Sequence, residues 1–252
     1  MEGQVASAQT ERLAQLIQES ECTVALTGAG ISVPSGIPDF RTPGEGMWEK
    51  VDPMEVAHIE SFRRDPARFW SFYRPRLHSL GGVEPNPAHE ALAELERRGL
   101  LEGVITQNID MLHFKAGSER VIEVHGSIRS LSCQSCGRGF AIADSEELFD
   151  PEGVARCSGC EGLVKPDVVL FGELLPTEAM AEAEALAARA DLMLCVGSSL
   201  EVYPVAGLPS IALGGGGKLA IVTKGPTPYD RDAELRLDGD VAEELSAVLA
   251  AL

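Results

Sequence analysis

The sequence predicts an α/β fold on a doubly wound parallel sheet that carries a small subdomain. Three observations predict it: helix-like and strand-like segments alternate, glycines follow apolar runs where strands end, and four cysteines stand in two close pairs. Residues 10–20 carry Leu13, Leu16 and Ile17 at helical spacing, and the apolar run CTVAL at 22–26 follows as a strand. Asn86 and Pro87 read as an N-cap and first helical residue opening AHEALAELERRG, with Gly99 as the stop signal. GVITQNI at 103–109 is the next strand and a helix runs over about 177–190, followed by strands LMLCVG at 192–197 and KLAIVT at 218–223. A last helix places Val241, Leu245, Val248 and Leu249 on one face, and GGGG at 214–217 is a flexible turn. Strands apolar throughout and separated by helices imply a parallel sheet covered on both sides.

A chain of 252 residues buries one substantial core with room for a small second subdomain. Its 44% hydrophobic and 24% charged residues are those of a soluble globular protein. No run of about 18 apolar residues is present to span a bilayer. The opening MEGQVASAQTERLAQL lacks the basic and then apolar stretches of a secretory signal, so the cytoplasm is the expected location. With 39 acidic against 21 basic side chains the net charge is −18, which disfavours nucleic acid as a direct ligand. A lysine-bearing protein or peptide is attracted instead, although an acidic surface also serves solubility alone.

Two glycine-rich turns lie where the strands end. Residues 27–41 read TGAGISVPSGIPDFR, with Gly28 and Gly30 directly after a strand, and Gly197, Ser198 and Ser199 follow a later one. Glycine lets backbone N–H groups approach a phosphate, and ligands of such sheets sit at the carboxyl ends of the strands, so a dinucleotide is the natural guest. Position 33 is valine where the dehydrogenase fingerprint has its third glycine, and GAG by itself reads equally as a tight turn. The cysteines are more specific. Cys133 and Cys136 form one C-x-x-C and Cys157 and Cys160 another, with 20 residues between the pairs. Two such knuckles make the closed four-thiolate shell of a structural zinc; two disulfides or a redox pair are the alternatives. Cys22 and Cys195 lie in apolar strands and are expected to be simply buried. TQNIDMLH adds Gln107, Asn108, Asp110 and His113 just past a strand, and EVHGS adds His125. Each histidine reads either as a hydrogen-bonded structural residue or as part of a catalytic cluster.

In this order, GAGISVPSGIPDFR, TQNID, HG, the paired C-x-x-C knuckles, KPDVVLFGE at 165–173 and GSSLEVYP at 197–204 resemble the sirtuins, the NAD-dependent protein lysine deacylases. The resemblance covers nearly the whole chain and implies one catalytic domain over 1–252. Its Rossmann-like doubly wound parallel sheet would take up about 1–41, 86–127 and 165–252. A small zinc-ribbon plus helical subdomain would come from a helical insertion at about 42–85 and a ribbon at about 128–164. Acyl-lysine proteins or peptides are the implied partners, with no nucleic acid and no membrane, and NAD and one structural zinc the implied cofactors.

By the same resemblance Gly28, Ala29, Gly30, Phe40 and Arg41 would contact NAD, the arginine near its phosphates and the phenylalanine beside the ribose. Asp39 would lie near the nicotinamide pocket. Gln107 would touch the ribose; Asn108, Ile109 and Asp110 would line the nicotinamide pocket, Asn108 with a catalytic share; Gly197, Ser198 and Ser199 match the loop on the far side. The acyl oxygen attacks the glycosidic carbon of NAD to give an alkylimidate, and His125 would act as general base on a ribose hydroxyl. Free lysine, nicotinamide and O-acyl-ADP-ribose are the products.

The substrate would enter as a strand paired between VVLFGE and GSSLEVYP, with Val169, Phe171 and Gly172 along its lysine tunnel. Tyr73 and Arg76 in FWSFYRPRL form a Y-x-x-R that resembles the sirtuins removing succinyl and other acidic acyl groups. The same residues also read as one helix whose apolar face is Phe69, Trp70, Phe72, Tyr73 and Leu77, with Arg74 and Arg76 solvated and Pro75 interrupting it. Two positions depart from the family. Thr223 stands where asparagine usually contacts the adenosine ribose, and Met111 where glycine usually follows NID. A nicotinamide oxidoreductase, a mono-ADP-ribosyltransferase and a non-catalytic sensor of NAD or ADP-ribose are the competing functions.

Overall fold

The computed structural model describes residues 8–39 and 52–252. Among these the strands in chain order are β1 Thr23–Thr27, β2 Gly103–Thr106, β3 Val121–Glu123, β4 Gly126–Cys133, β5 Gly139–Ala141, β6 Val164–Val168, β7 Leu192–Val196, β8 Lys218–Val222 and β9 Leu235–Leu237. The α-helices are α1 Ala8–Glu19, α2 Pro53–Val56, α3 Ile59–Arg64, α4 Pro66–Gly81, α5 Pro87–Arg97, α6 Leu112–Lys115, α7 Thr177–Arg189, α8 Leu208–Gly214 and α9 Val241–Ala250.

Six strands form a parallel sheet in the order β3-β2-β1-β7-β8-β9. Every residue of β1, β2 and β7 is buried, the pattern of strands covered on both faces. Side chains alternate across the sheet with period two, and this sorts the apolar residues into two cores. Ala25, Leu194 and Val222 meet Leu13 and Ile17 of α1, Leu92 and Leu95 of α5, and Leu245 and Val248 of α9. Val24, Met193 and Ile221 face the other way, onto Leu186 of α7 and Leu208 of α8. The sheet is doubly wound, as expected.

The α5 start follows the sequence signal closely. Asn86 Oδ1 accepts from Ala88 N at 2.9 Å with Pro87 in the first turn, and His89 reaches back to the Asn86 N–H in a capping box. The helix ends at Arg97, and Gly99 takes the left-handed conformation at φ +72°.

Three local expectations differ from the structure. The second strand stops at Thr106 rather than continuing to Ile109, because Asn108 turns its N–H onto Thr106 Oγ1 at 3.1 Å and leaves the ladder. Cys22 precedes β1 and is half-buried rather than buried, its N–H held by Asp191 Oδ1 at 3.0 Å, whereas Cys195 is buried as expected. Helix α4 runs unbroken through Pro75. The proline costs the helix about 3 kcal/mol, but burying Phe69, Trp70, Phe72 and Leu77 recovers more, at about 1.5–3 kcal/mol each.

A second, three-stranded sheet, β5-β4-β6, is antiparallel. Phe62 of α3 and Phe69, Trp70 and Leu77 of α4 share one core with Ile128, Leu131, Cys133, Cys157 and Val164 of this region. Trp70 Nε1 donates to the Val164 carbonyl at 3.2 Å. The helices of the insertion and the cysteine-bearing sheet therefore pack as one body.

Candidate active site

The connections from β1 lead to β2 and β3 on one side of the sheet, and those from β7 lead to β8 and β9 on the other. The crevice between the carboxyl ends of β1 and β7 is the point where the order reverses, the place where such sheets bind ligands. Two turns meet there. Gly28 N donates to Val196 O at 3.1 Å and Gly30 N to Gly197 O at 2.7 Å. A Cβ on Gly30 would stand 2.7 Å from the Gly197 oxygen, and Gly197, at φ +60°, would drive one to 2.1 Å from Ile31 N. Glycine is required at both positions because the turns touch through backbone alone. A short 3₁₀ helix, Ala29–Ser35, continues from the first turn. Asp39 is half-buried at the end of this stretch. Phe40 and Arg41 lie outside the described residues.

Gln107 joins the turns, its Nε2 donating to Ser198 Oγ at 2.9 Å while its N–H bonds Thr27 O at 3.0 Å. Below it Asn108 and Asp110 are buried, 9% and 6% exposed, and both reach Ser32. Asn108 Nδ2 donates to Gly28 O and to Ser32 Oγ, each at 3.1 Å, and Ser32 Oγ donates to Asp110 Oδ2 at 2.6 Å. His89 Nε2 stands 3.5 Å from the same hydroxyl. Ser32 and His89 were not legible as members of this cluster; the only signal was a serine inside the glycine turn. His113 is buried and bonds Thr27 Oγ1 at 2.9 Å through Nε2, which places it in the wall rather than the crevice. Ile109 is half-buried and packs toward the small core. Met111 adopts φ +66°, a left-handed conformation that costs a residue bearing Cβ about 1–2 kcal/mol. Glycine, usual there in the family, would meet the turn without strain.

His125 follows β3 on the same rim. Its Nδ1 lies 3.0 Å from the Gln107 carbonyl oxygen, which only accepts, so Nδ1 carries the proton and Nε2 the lone pair. Burial holds its pKa below the usual histidine value, against a smaller upward pull from the Gln107 bond. The neutral ring is thereby a base at neutral pH. Next to it Gly126 has φ +74°, and a Cβ there would lie 2.0 Å from Asp167 O, so the backbone passes directly against β6.

The segment after β6 runs along the rim. Val169 N donates to His125 O at 2.8 Å, Phe171 N to Ala57 O at 2.8 Å, and Phe171 O accepts from Ile59 N at 3.0 Å. Both backbone groups of Phe171 are thus used internally. Val169 is half-buried, Phe171 is 44% exposed, and Leu174 and Tyr203 are 94% and 74% exposed. Gly172 sits at φ +87° against the His58 ring.

The residues expected at the adenosine and acyl ends also lie among the described residues. Thr223, just past β8, is buried with its N–H on Leu237 O at 3.0 Å. Ser199 is exposed on the opposite turn. Tyr73 stacks on Phe69 at 4.3 Å, and burial raises its pKa, with Arg76 pulling it down and Glu173 pushing it up. Arg76 donates from Nη1 to Phe72 O at 2.5 Å, and its guanidinium lies 3.4 Å from the centre of the Phe72 ring.

The sulfur atoms of Cys133, Cys136, Cys157 and Cys160 all lie within 4.8 Å of one another. The Cys133–Cys160 pair is at 3.6 Å and the Cys136–Cys157 pair at 3.7 Å. Tetrahedral zinc with thiolates at 2.3 Å sets sulfurs about 3.8 Å apart, so the cluster fits the metal. Disulfides are excluded at these separations. Ser135 N and Gly159 N donate to Cys133 and Cys157 at 3.4 Å, and the Gly159 bond leads the lowering of the Cys157 pKa toward the thiolate. The four thiolates would hold a structural zinc and close its tetrahedral shell.

A doubly wound sheet with glycine turns at its switch point is the architecture of a dinucleotide-binding protein, here with an oriented imidazole on the rim and a four-cysteine ribbon. The Sir2 family model matches residues 28–204. An NAD-dependent protein deacetylase of Thermotoga maritima is 46% identical over 228 residues, 90% of this chain and 92% of the relative. A solved structure of a Sir2 protein with a p53 peptide and NAD+ superposes with a TM-score of 0.88 at 43% identity, covering 95% of this chain and 96% of that one. Another, of a Sir2 protein bound to a propionylated peptide, gives a TM-score of 0.88 at 42% identity over 96% and 97%. The chain belongs to the Sir2 family.

Proposed function

We propose that this protein removes acyl groups from protein lysines at the expense of NAD, with His125 as the general base. The observation that carries this reading is the bond from His125 Nδ1 to Gln107 O, which leaves the lone pair on Nε2. NAD supplies the electrophilic ribose carbon once nicotinamide departs. The residues that would hold it fit an anionic, extended guest. Gly28, Gly30 and Gly197, whose own N–H groups are bonded to backbone carbonyls, would let the phosphates approach closely, Ala29, Ser198 and Ser199 would supply donors at the strand ends, and Thr223 would stand at the adenosine side. Asn108 and Asp110, tied together by Ser32, would orient the carboxamide of nicotinamide. Asp39, Phe40 and Arg41 would close over it.

The acyl-lysine stem would pass between Val169 and Phe171 with its backbone at Gly172. The charge of −18 favours lysine-rich peptide partners and disfavours nucleic acid and anionic membranes. Among the described residues no helix is long and apolar enough to cross a membrane, and the cytoplasm remains the proposed location. We retain the division of the domain into a sheet part and a small part made of the insertion and the ribbon.

A second reading concerns acidic acyl groups. Continuity of α4 through Pro75 puts Tyr73 and Arg76 one turn apart on one side of the helix, and this supports a carboxylate site at the tunnel end. The main test incubates protein, NAD and an acetylated peptide and identifies products by mass. Nicotinamide, free lysine and O-acetyl-ADP-ribose are expected. ADP-ribose attached to protein would instead identify a transferase, and intact NAD a sensor.

A further inference from the structure

Lys165 is a lysine in the interior, with a side chain 7% exposed. Its Nζ donates to Pro166 O at 3.0 Å and to Val168 O at 2.8 Å, and lies 3.2 Å from Glu173 Oε2. The same carboxylate oxygen accepts from Leu170 N at 2.9 Å, and Glu173 N returns to Leu170 O at 3.0 Å. One ammonium therefore ties the end of β6 to the far side of the turn at 170–173.

We infer that Lys165 and Glu173 are positioning residues which hold the peptide-pairing edge of the turn in its binding shape. This rests on the deacylase reading and names what shapes its substrate edge. Burying an ion pair stabilises little compared with an apolar pair of the same volume, so stability is a weak reason for one here. What the pair does accomplish is geometric. The turn is joined at Val169 to the His125 carbonyl and at Phe171 to Ala57 and Ile59, and the remaining stretch, Leu170 and Gly172–Glu173, is held by the clamp. Glu173 anchors this stretch between Gly172, at φ +87°, and Leu174, which is 94% exposed, so the clamp sets the edge that would meet an incoming strand. Preorganised strand edges bind peptide without first losing conformational freedom.

The test measures binding of a fluorescent acetyl-lysine peptide by anisotropy, together with KM for peptide, KM for NAD and kcat, for wild type, Glu173→Gln, Lys165→Met and Lys165→Arg. Glu173→Gln and Lys165→Met are expected to raise the peptide Kd and KM about tenfold or more, with kcat and the NAD KM within about threefold. Lys165→Arg, which keeps a charged donor, is expected to recover most of the affinity. Unchanged peptide affinity in folded Glu173→Gln overturns the clamp, as does a loss shared equally by the NAD KM and the melting temperature. A wild type that binds the peptide but releases no nicotinamide from NAD overturns the deacylase reading, while anisotropy still reports on the clamp.

Discussion

His125 and Gln107 are joined by a 3.0 Å hydrogen bond from the imidazole Nδ1 to a backbone carbonyl, and that bond selects the tautomer in which Nε2 is the base. Gln107, whose amide bonds Ser198 on the opposite turn, thus orients the proposed general base through its main chain.

Replacement of His125 by alanine is expected to leave the fold intact and to lower kcat/KM about 10²–10⁴-fold. Burial lowers the folded pKa, so the neutral base persists below the ordinary value of about 6.5, and activity is lost only as pH falls through the lowered pKa. A pH profile with its acid limb above pH 7, or near-wild-type turnover by folded His125→Ala, contradicts the assignment.

The buried histidines make folding acid-sensitive. Desolvation pushes His113 down to about 3 and His89 to about 4, the latter against an upward pull from Asp110, whereas both titrate near 6.5 when unfolded. Between those values the unfolded chain binds more protons, so stability is fully present above about pH 6.5 and declines as pH falls toward 3. Urea denaturation at pH 7.5 and 5.0 should show the decline, and His113→Asn should flatten it. An equal slope in that variant removes His113 from the account.

Metal analysis is expected to find one zinc per chain. Because Cys133 and Cys157 belong to the core shared with Phe69 and Trp70, chelation should loosen α4 together with the ribbon and reduce activity indirectly. A change in Trp70 fluorescence on chelation is the expected sign, and an unchanged signal with new proteolysis confined to the ribbon would show that α4 does not depend on the metal.

Arg76→Ala probes the acyl end. If Arg76 receives a carboxylate, kcat/KM on a succinyl-lysine peptide should fall about tenfold or more, with the acetyl peptide little changed. Its guanidinium already serves Phe72 O and the Phe72 ring, so accepting a carboxylate requires leaving the carbonyl. Equal losses on both peptides make Arg76 a structural residue of α4.

The amino-acid sequence by itself determined the alternation of buried strands and amphipathic helices, the Asn86 cap, the turns at Gly28 and Gly197, and the four zinc thiolates. Each is written in neighbouring residues, through periodicity, capping chemistry or knuckle spacing, and needs no knowledge of distant partners. Tertiary structure alone decided the rest. It carried α4 through Pro75 because its aromatic face found a core, and it brought Ser32 and His89 to Asn108 and Asp110 from separate elements. It spent both backbone groups of Phe171 on residues 57 and 59, and it set Lys165 against Glu173 across a turn. Those outcomes depend on which surfaces meet, and a hydrogen bond or a buried charge has no local signature until its partner, distant in sequence or across a turn, is in place.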